Sequence, residues 1–158
     1  GPASGIVVLG VGFLLTTLAR CCSPIMGDPI AGYITRGRGV TIHRDNCPNI
    51  LGEDESERLV SVNWGETKTL YPVRIQIKGW DRVGLLGDVT SAVSEERVNI
   101  ANIFSEEYDD MSVISLTVYV SGIEHLNKLY TKIESLNGIT EVLRLRRLES
   151  ERQKVNGE

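Results

Sequence analysis

Aromatic side chains are scarce in this chain, at 6% of 158 residues, so it lacks the density of flat rings that a base-stacking nucleic-acid platform needs. Basic residues do not prevail either. Lys and Arg number 17 against 21 Asp and Glu, and the formal charge of -4 excludes a generally basic nucleic-acid coat or a binder of anionic membranes, while leaving room for local patches. The three cysteines are an odd number with no secretory context, which argues against a disulfide framework and for a reducing, cytoplasmic setting. No segment reads as a membrane span. The apolar stretch Ile6 to Leu18 has no basic flank ahead of it, is interrupted by Gly10, Gly12, Thr16 and Thr17, and falls short of the roughly 20 residues a span requires. Catalytic constellations are absent too: there is no Walker-type lysine loop and no His-Asp metal-hydrolase pattern, and His43 and His125 fall in different parts of the chain.

What is present is concentrated between Cys21 and Cys47, which contains all three cysteines and one of the two histidines. Thiolates and a neutral imidazole suit zinc, and a Cys3His site of Cys21, Cys22, His43 and Cys47 would hold together a loop-rich module too short for a large core. Adjacent cysteines must splay their sulfurs to share one ion, so a second reading stays open in which the three thiols are small buried hydrophobes. Nucleophilic use of Cys47 with His43 is a third reading, and shared ligation explains the pair better.

Along the chain, residues 1–5 resemble the scar of a cleaved tag and are set aside. Ile6 to Leu9 reads as a strand, and Phe13 to Cys22 as a helix with Leu14, Leu15 and Leu18 on one face, stopped by Pro24. Ile30 to Arg36 and Gly39 to Arg44 form a hairpin about Gly37-Arg38-Gly39, whose far strand returns His43 and then Cys47 toward the double cysteine. Arg36, Arg38 and Arg44 crowd that hairpin. They read either as a solvated turn or as a small basic face for phosphate contacts. An acidic linker runs from Gly52 to Ser56, Leu59 to Trp64 is a strand, and a boundary falls at about residue 67, separating modules 6–66 and 67–149 from a tail at 150–158.

The second module alternates regularly: strand 70–79, helix 84–97, strands 100–108 and 111–121, helix 123–136, strand 139–148. Its first helix is expected to bury Leu85, Leu86, Val89, Ala92 and Val93, and its second Leu126, Leu129, Ile133 and Leu136. The order βαββαβ gives a ferredoxin-like sandwich, so the chain as a whole is α+β: a small α/β cysteine module followed by this fold.

Two stretches carry a family resemblance. Leu18-Ala19-Arg20-Cys21-Cys22-Ser23-Pro24-Ile25-Met26-Gly27-Asp28, with Gly32-Tyr33-Ile34-Thr35-Arg36-Gly37-Arg38-Gly39-Val40 and His43-Arg44-Asp45-Asn46-Cys47-Pro48-Asn49, resembles the zinc-finger or conserved-cysteine domain of the RelA/SpoT homologue family. Trp80-Asp81-Arg82-Val83-Gly84-Leu85-Leu86-Gly87-Asp88-Val89, with Val98-Asn99-Ile100, resembles the ACT domain that follows it in that family. The resemblance implies the C-terminal regulatory region of a (p)ppGpp synthetase/hydrolase, a GTP pyrophosphokinase of the stringent response whose catalytic domains lie upstream. That parent would need a divalent metal and ATP or GTP. For this segment it implies zinc, contacts of Arg36, Arg38 and Arg44 with ribosomal RNA or tRNA, and a homodimer through the ACT module. It also implies a branched-chain amino-acid site of Asp81, Gly84, Leu85, Leu86, Asn99, Asn102 and His125. The structural alternative for His125 is an exposed helix residue, and for Asn102 a strand-edge polar group. The competing class is a stand-alone metal or thiol regulatory protein dimerised by an ACT domain.

Overall fold

The computed structural model of the chain describes residues 6–8, 15–37, 39–51, 58–65 and 69–146. Residues 1–5, Arg38, the linker at 52–56, the boundary at 67 and the tail at 150–158 lie outside that set. In the first module the strands are β1 Ile6–Val8, β2 Thr16–Leu18, β3 Ile30–Thr35, β4 Gly39–Arg44, β5 Leu59–Val60 and β6 Val62–Trp64. They build a four-stranded sheet of order β2-β4-β3-β5 and a two-stranded sheet β1-β6.

Two sequence expectations need correction here. Where a helix is expected over Phe13 to Cys22, residues 16–18 are a strand paired parallel to Val40–Ile42, and residues 20–22 form a turn. The Val40 N–H donates to the Leu15 carbonyl at 2.7 Å and the Ala19 N–H to that of Ile42 at 2.8 Å, so pairing with β4 takes the backbone groups a helix would use. Thr16 and Thr17, β-branched, fit the extended form. The expected strand Leu59 to Trp64 divides at Ser61, with β5 on the edge of the larger sheet and β6 paired with β1. Gly32 sits where the division is made. A β-carbon there would come within 2.8–2.9 Å of methyl groups of Val40, Val60 and Val62, so the absent side chain lets the three valines close over β3.

The second module comprises β7 Tyr71–Trp80, α1 Leu85–Glu95, β8 Asn99–Tyr108, β9 Met111–Val120, α2 Ile123–Glu134 and β10 Ile139–Arg144. Its antiparallel sheet has the order β10-β7-β9-β8, the ferredoxin-like arrangement expected from the βαββαβ alternation. Val73, Ile75 and Ile77 of β7 join Leu116 and Val118 of β9 beneath Val89 and Val93 of α1 and Leu126, Leu129 and Ile133 of α2. Leu86 departs from expectation. It is 43% exposed, because it turns away from the sheet at the start of α1.

The modules are packed together through residues 25–28. Ile25, fully buried, belongs to the same apolar cluster as Tyr71, Ile75 and Leu126. The Met26 carbonyl accepts the Ile123 N–H at 2.9 Å, which satisfies one of the free donors at the start of α2, a helix that has no side-chain cap. A β-carbon on Gly122 would lie 2.9 Å from that carbonyl, so only glycine permits the approach. Ile25→Ala is therefore expected to destabilise the second module although it lies outside it in sequence, by about 2–5 kcal/mol. Urea unfolding followed by circular dichroism checks this, and an unchanged midpoint would mean that Ile25 carries none of the docking.

Candidate metal centre

Three pieces of backbone bring the cysteine and histidine ligands together. The turn after β2 carries Cys21 and Cys22, strand β4 carries His43, and a turn closed by the Cys47 N–H on the Arg44 carbonyl at 3.0 Å carries Cys47. The four ligand atoms lie within 4.8 Å of one another. Cys21 Sγ is 3.5 Å from Cys47 Sγ, 4.0 Å from Cys22 Sγ and 3.4 Å from His43 Nδ1, while Cys22 Sγ is 3.8 Å from the same nitrogen. A zinc ion with bonds of about 2.3 Å to sulfur would space tetrahedral ligands about 3.8 Å apart, so the cluster matches that geometry. The difficulty of adjacent cysteines is met by the turn. The Ser23 N–H closes on the Ala19 carbonyl at 2.9 Å, and Ser23 has a φ of 46°, reversing the chain directly after the second thiol.

The electrostatics are unbalanced without a cation. Burial pushes the Cys22 thiol up to about 12, against the Arg44 N–H that points at its sulfur at 3.3 Å, and charge on Cys21 and Cys47 adds to the rise. For Cys47 burial also works upward, but the Asn49 N–H, the two neighbouring thiols and the charge of Arg146 outweigh it and leave its value lowered. Burial lowers His43, favouring the neutral imidazole that ligates metals. Three thiolates at this spacing would repel one another, and a divalent ion held by them would supply the countercharge.

The other expected site residues are partly gathered. Asp81, Gly84, Leu85 and Leu86 line a 190 Å3 pocket completed by Arg82, Gly87, Ser105, Glu107, Ser112 and Ile114. Gly84 has a φ of 86° with no contact closer than 3.8 Å around its missing side chain, so the loop is both turned and open to an approaching group. Asp81 accepts the Ser112 hydroxyl at 2.9 Å. Asn99, Asn102 and His125 do not line it. Asn99 and Asn102 lie opposite Tyr119 and Thr117 on the sheet face away from the helices. His125 accepts the Ser121 N–H at 3.2 Å on Nδ1, so its Nε2 is left to donate to the Glu96 carbonyl at 3.2 Å, tying the two helices together. Glu107 and Ser112 escape a reading of the sequence, since only strand pairing brings them beside Asp81.

The arginines separate. Arg36 follows β3 at the hairpin turn, whereas Arg44 pairs with Ile30 at the opposite end, six residues along the strand from Arg36 or about 20 Å at about 3.4 Å per residue. Arg44 therefore belongs with the cysteines, where Arg146 also acts on Cys47, and lies at the other end of the hairpin from Arg36.

Residues 6–65 match the model of the RelA/SpoT RIS domain, and residues 67–144 that of the ACT domain. The chain is 41% identical over 146 residues to a GTP pyrophosphokinase of Myxococcus xanthus, covering 90% of this chain and 19% of that protein. It is 36% identical over 148 residues to a GTP pyrophosphokinase of Escherichia coli strain K12, covering 90% and 20%. It is also 36% identical over 144 residues to the bifunctional (p)ppGpp synthase/hydrolase RelA of Mycobacterium tuberculosis, covering 89% and 20%. The chain thus spans about a fifth of the length of the curated relatives it matches.

Because Cys22 keeps its proton up to about 12 in the metal-free cluster, ligation must release that proton, and protons compete with the metal. Zinc affinity is expected to weaken as pH falls, by about tenfold per pH unit for each proton displaced. Competition titrations between pH 8 and pH 6 check this, and an affinity independent of pH would rule out thiolate ligation.

Proposed function

The chain belongs to the RelA/SpoT family through a RIS domain followed by an ACT domain, and we propose that it is the C-terminal regulatory region of a GTP pyrophosphokinase that makes and hydrolyses (p)ppGpp. The observation that carries this reading is the RIS–ACT tandem with a four-ligand Cys3His cluster inside the first domain. Its role is to bias catalytic domains that lie upstream in the parent. Contacts made here favour one arrangement of the regulatory region, and the catalytic half responds to that population shift in the cytoplasm.

Cys21, Cys22, His43 and Cys47 are the residues that would hold zinc, and the ion would act structurally, fixing the turn at 20–22 to the end of β4. Arg20, Arg44 and Arg146 around it offer charge for phosphates of ribosomal RNA or tRNA, with Arg36 as a separate contact. The sheet is a poor base-stacking surface. Among the described residues its exposed rings are four, Phe104 and Tyr108 on the edge strand β8, Tyr119 on β9 and Trp80 at the end of β7, so the middles of the central strands offer no run of rings for stacking. RNA contact is therefore assigned to the arginines of the first domain. The unpaired edge of β8 is where a second copy would add.

The ACT pocket has the chemistry of a small amino-acid site. First-turn N–H groups of α1 favour a carboxylate, Asp81 and Glu107 favour an ammonium, and Leu86 and Ile114 offer apolar surface to a branched side chain. Isothermal titration with valine and isoleucine is expected to give binding that Asp81→Asn weakens about tenfold; absence of heat at millimolar ligand would remove the sensor role. In ribosome co-sedimentation, Arg44→Ala and Arg36→Ala are each expected to reduce binding, with a shallower salt dependence. Unchanged pelleting of both variants would count against the arginine contacts.

A further inference from the structure

The arginine of the ion pair between the two domains also bonds the residue next to a proposed metal ligand. Arg144, the last residue of β10, donates from Nη1 to Asp28 Oδ1 at 2.9 Å, from Nη2 to Asp28 Oδ2 at 3.0 Å, and from the same Nη2 to the Ser23 carbonyl at 2.6 Å. The guanidinium and carboxylate side chains are 11% and 4% exposed. We infer that Arg144 is a positioning residue for the cysteine cluster: the last ACT strand holds, through Ser23 and Asp28, the turn that presents Cys21 and Cys22.

The local backbone explains why that turn needs holding. Ser23 has a left-handed φ of 46°, which is unfavourable for a residue with a side chain and persists only where its surroundings fix it. Its hydroxyl reaches only the Arg20 carbonyl, at 3.4 Å, within the turn itself. The restraint from outside comes from Arg144 on the Ser23 carbonyl. Asp28 closes the other end of the same segment, accepting the Ile25 N–H at 2.8 Å on Oδ2, while its own carbonyl accepts the Trp64 indole N–H at 2.8 Å. One planar guanidinium thus ties three acceptors on residues 23 and 28, a fork that an ammonium cannot reproduce. Tyr130 of α2 is partly buried beside the pair and feels the charge of both partners.

A single peptide separates the Ser23 carbonyl from Cys22. Displacement of β10 therefore shifts the cysteine sulfurs against His43 and Cys47, which are carried by β4 and the turn after it. The ACT domain sets how firmly the first domain keeps its ligands, and by reciprocity a filled cluster restrains β10.

The test uses the whole chain with Arg144→Ala, Arg144→Lys and Asp28→Asn. Zinc transfer from the loaded protein to a chelator is expected to be about tenfold faster in Arg144→Ala and Asp28→Asn, with Arg144→Lys between these and wild type. In metal-free protein, alkylation by iodoacetamide, read residue by residue by mass spectrometry, is expected to accelerate at Cys21 and Cys22 relative to Cys47. A purely structural role would raise all three cysteines together with a lowered melting temperature. That parallel rise, or rates indistinguishable from wild type in folded variants, would overturn the assignment. Should Arg144→Ala fail to fold, Arg144→Lys and Asp28→Asn decide it. The zinc arm rests on the metal reading, and the alkylation arm does not: a wild-type chain that takes up no zinc would end the metal reading while the labelling pattern still decides the role of Arg144.

Discussion

A carboxylate removed from water needs charge and hydrogen bonds in place of its hydration, and Asp28 takes the charge and two hydrogen bonds from Arg144, 116 residues further along the chain, and a third hydrogen bond from the Ile25 N–H. Replacing one partner of such a buried pair typically costs about 3–5 kcal/mol, chiefly because the other charge is left stranded, whereas apolar replacement of both is often nearly neutral. The pair therefore contributes geometry more than net stability. It fixes the segment between Ser23 and Asp28 in one conformation, and that segment places Ile25 in the ACT core and the Met26 carbonyl at the start of α2. The two domains are joined by burial and hydrogen bonding, and their short connection in sequence is not what holds them.

The first domain is small, and its described core is divided. Among the described residues, apart from Ile25, its buried apolar side chains divide into a set around the cysteines, Ala19, Cys22, Cys47 and Ile50, and a set under the hairpin, Val40, Ile42 and Val62. Domains of this size commonly require a metal or a covering partner. Here two devices act on one turn: the Cys3His cluster draws it toward β4, and Arg144 holds it from β10. The ACT domain, with its continuous cluster through β7, β9 and both helices, is the rigid body against which the smaller domain is set.

Charge is distributed unevenly on a chain whose total is acidic. Arg44 and Arg146 act on the cysteines, while the ACT pocket is walled by Asp81 and Glu107 with Arg82 directed to Asp88 at 2.8 Å. Net charge alone would suit neither an RNA contact nor an amino-acid site.

The ACT alternation is legible in the amino-acid pattern, because each of its elements is long enough to repeat its apolar face at a period of two or 3.6, and the hairpin glycines with His43 and Cys47 mark one end of the cluster. Short elements are not legible in this way. Leu14, Leu15 and Leu18 carry a helical spacing, yet Thr16–Leu18 is a strand because β4 offers it a parallel partner, and that partner is a tertiary fact. Arg36 and Arg44 look adjacent in sequence, and antiparallel pairing sends them to opposite ends of the hairpin. His125 and Asn102 carry polar signals that resemble a binding site, but helix-to-helix and cross-strand partners decide where they point. The sequence by itself determined which cysteines and histidine gather in one cluster, the fold of the second domain and the family. Only the tertiary structure decided that Arg144 answers Asp28, since nothing local in either residue encodes a partner that exists only once both domains are folded against each other.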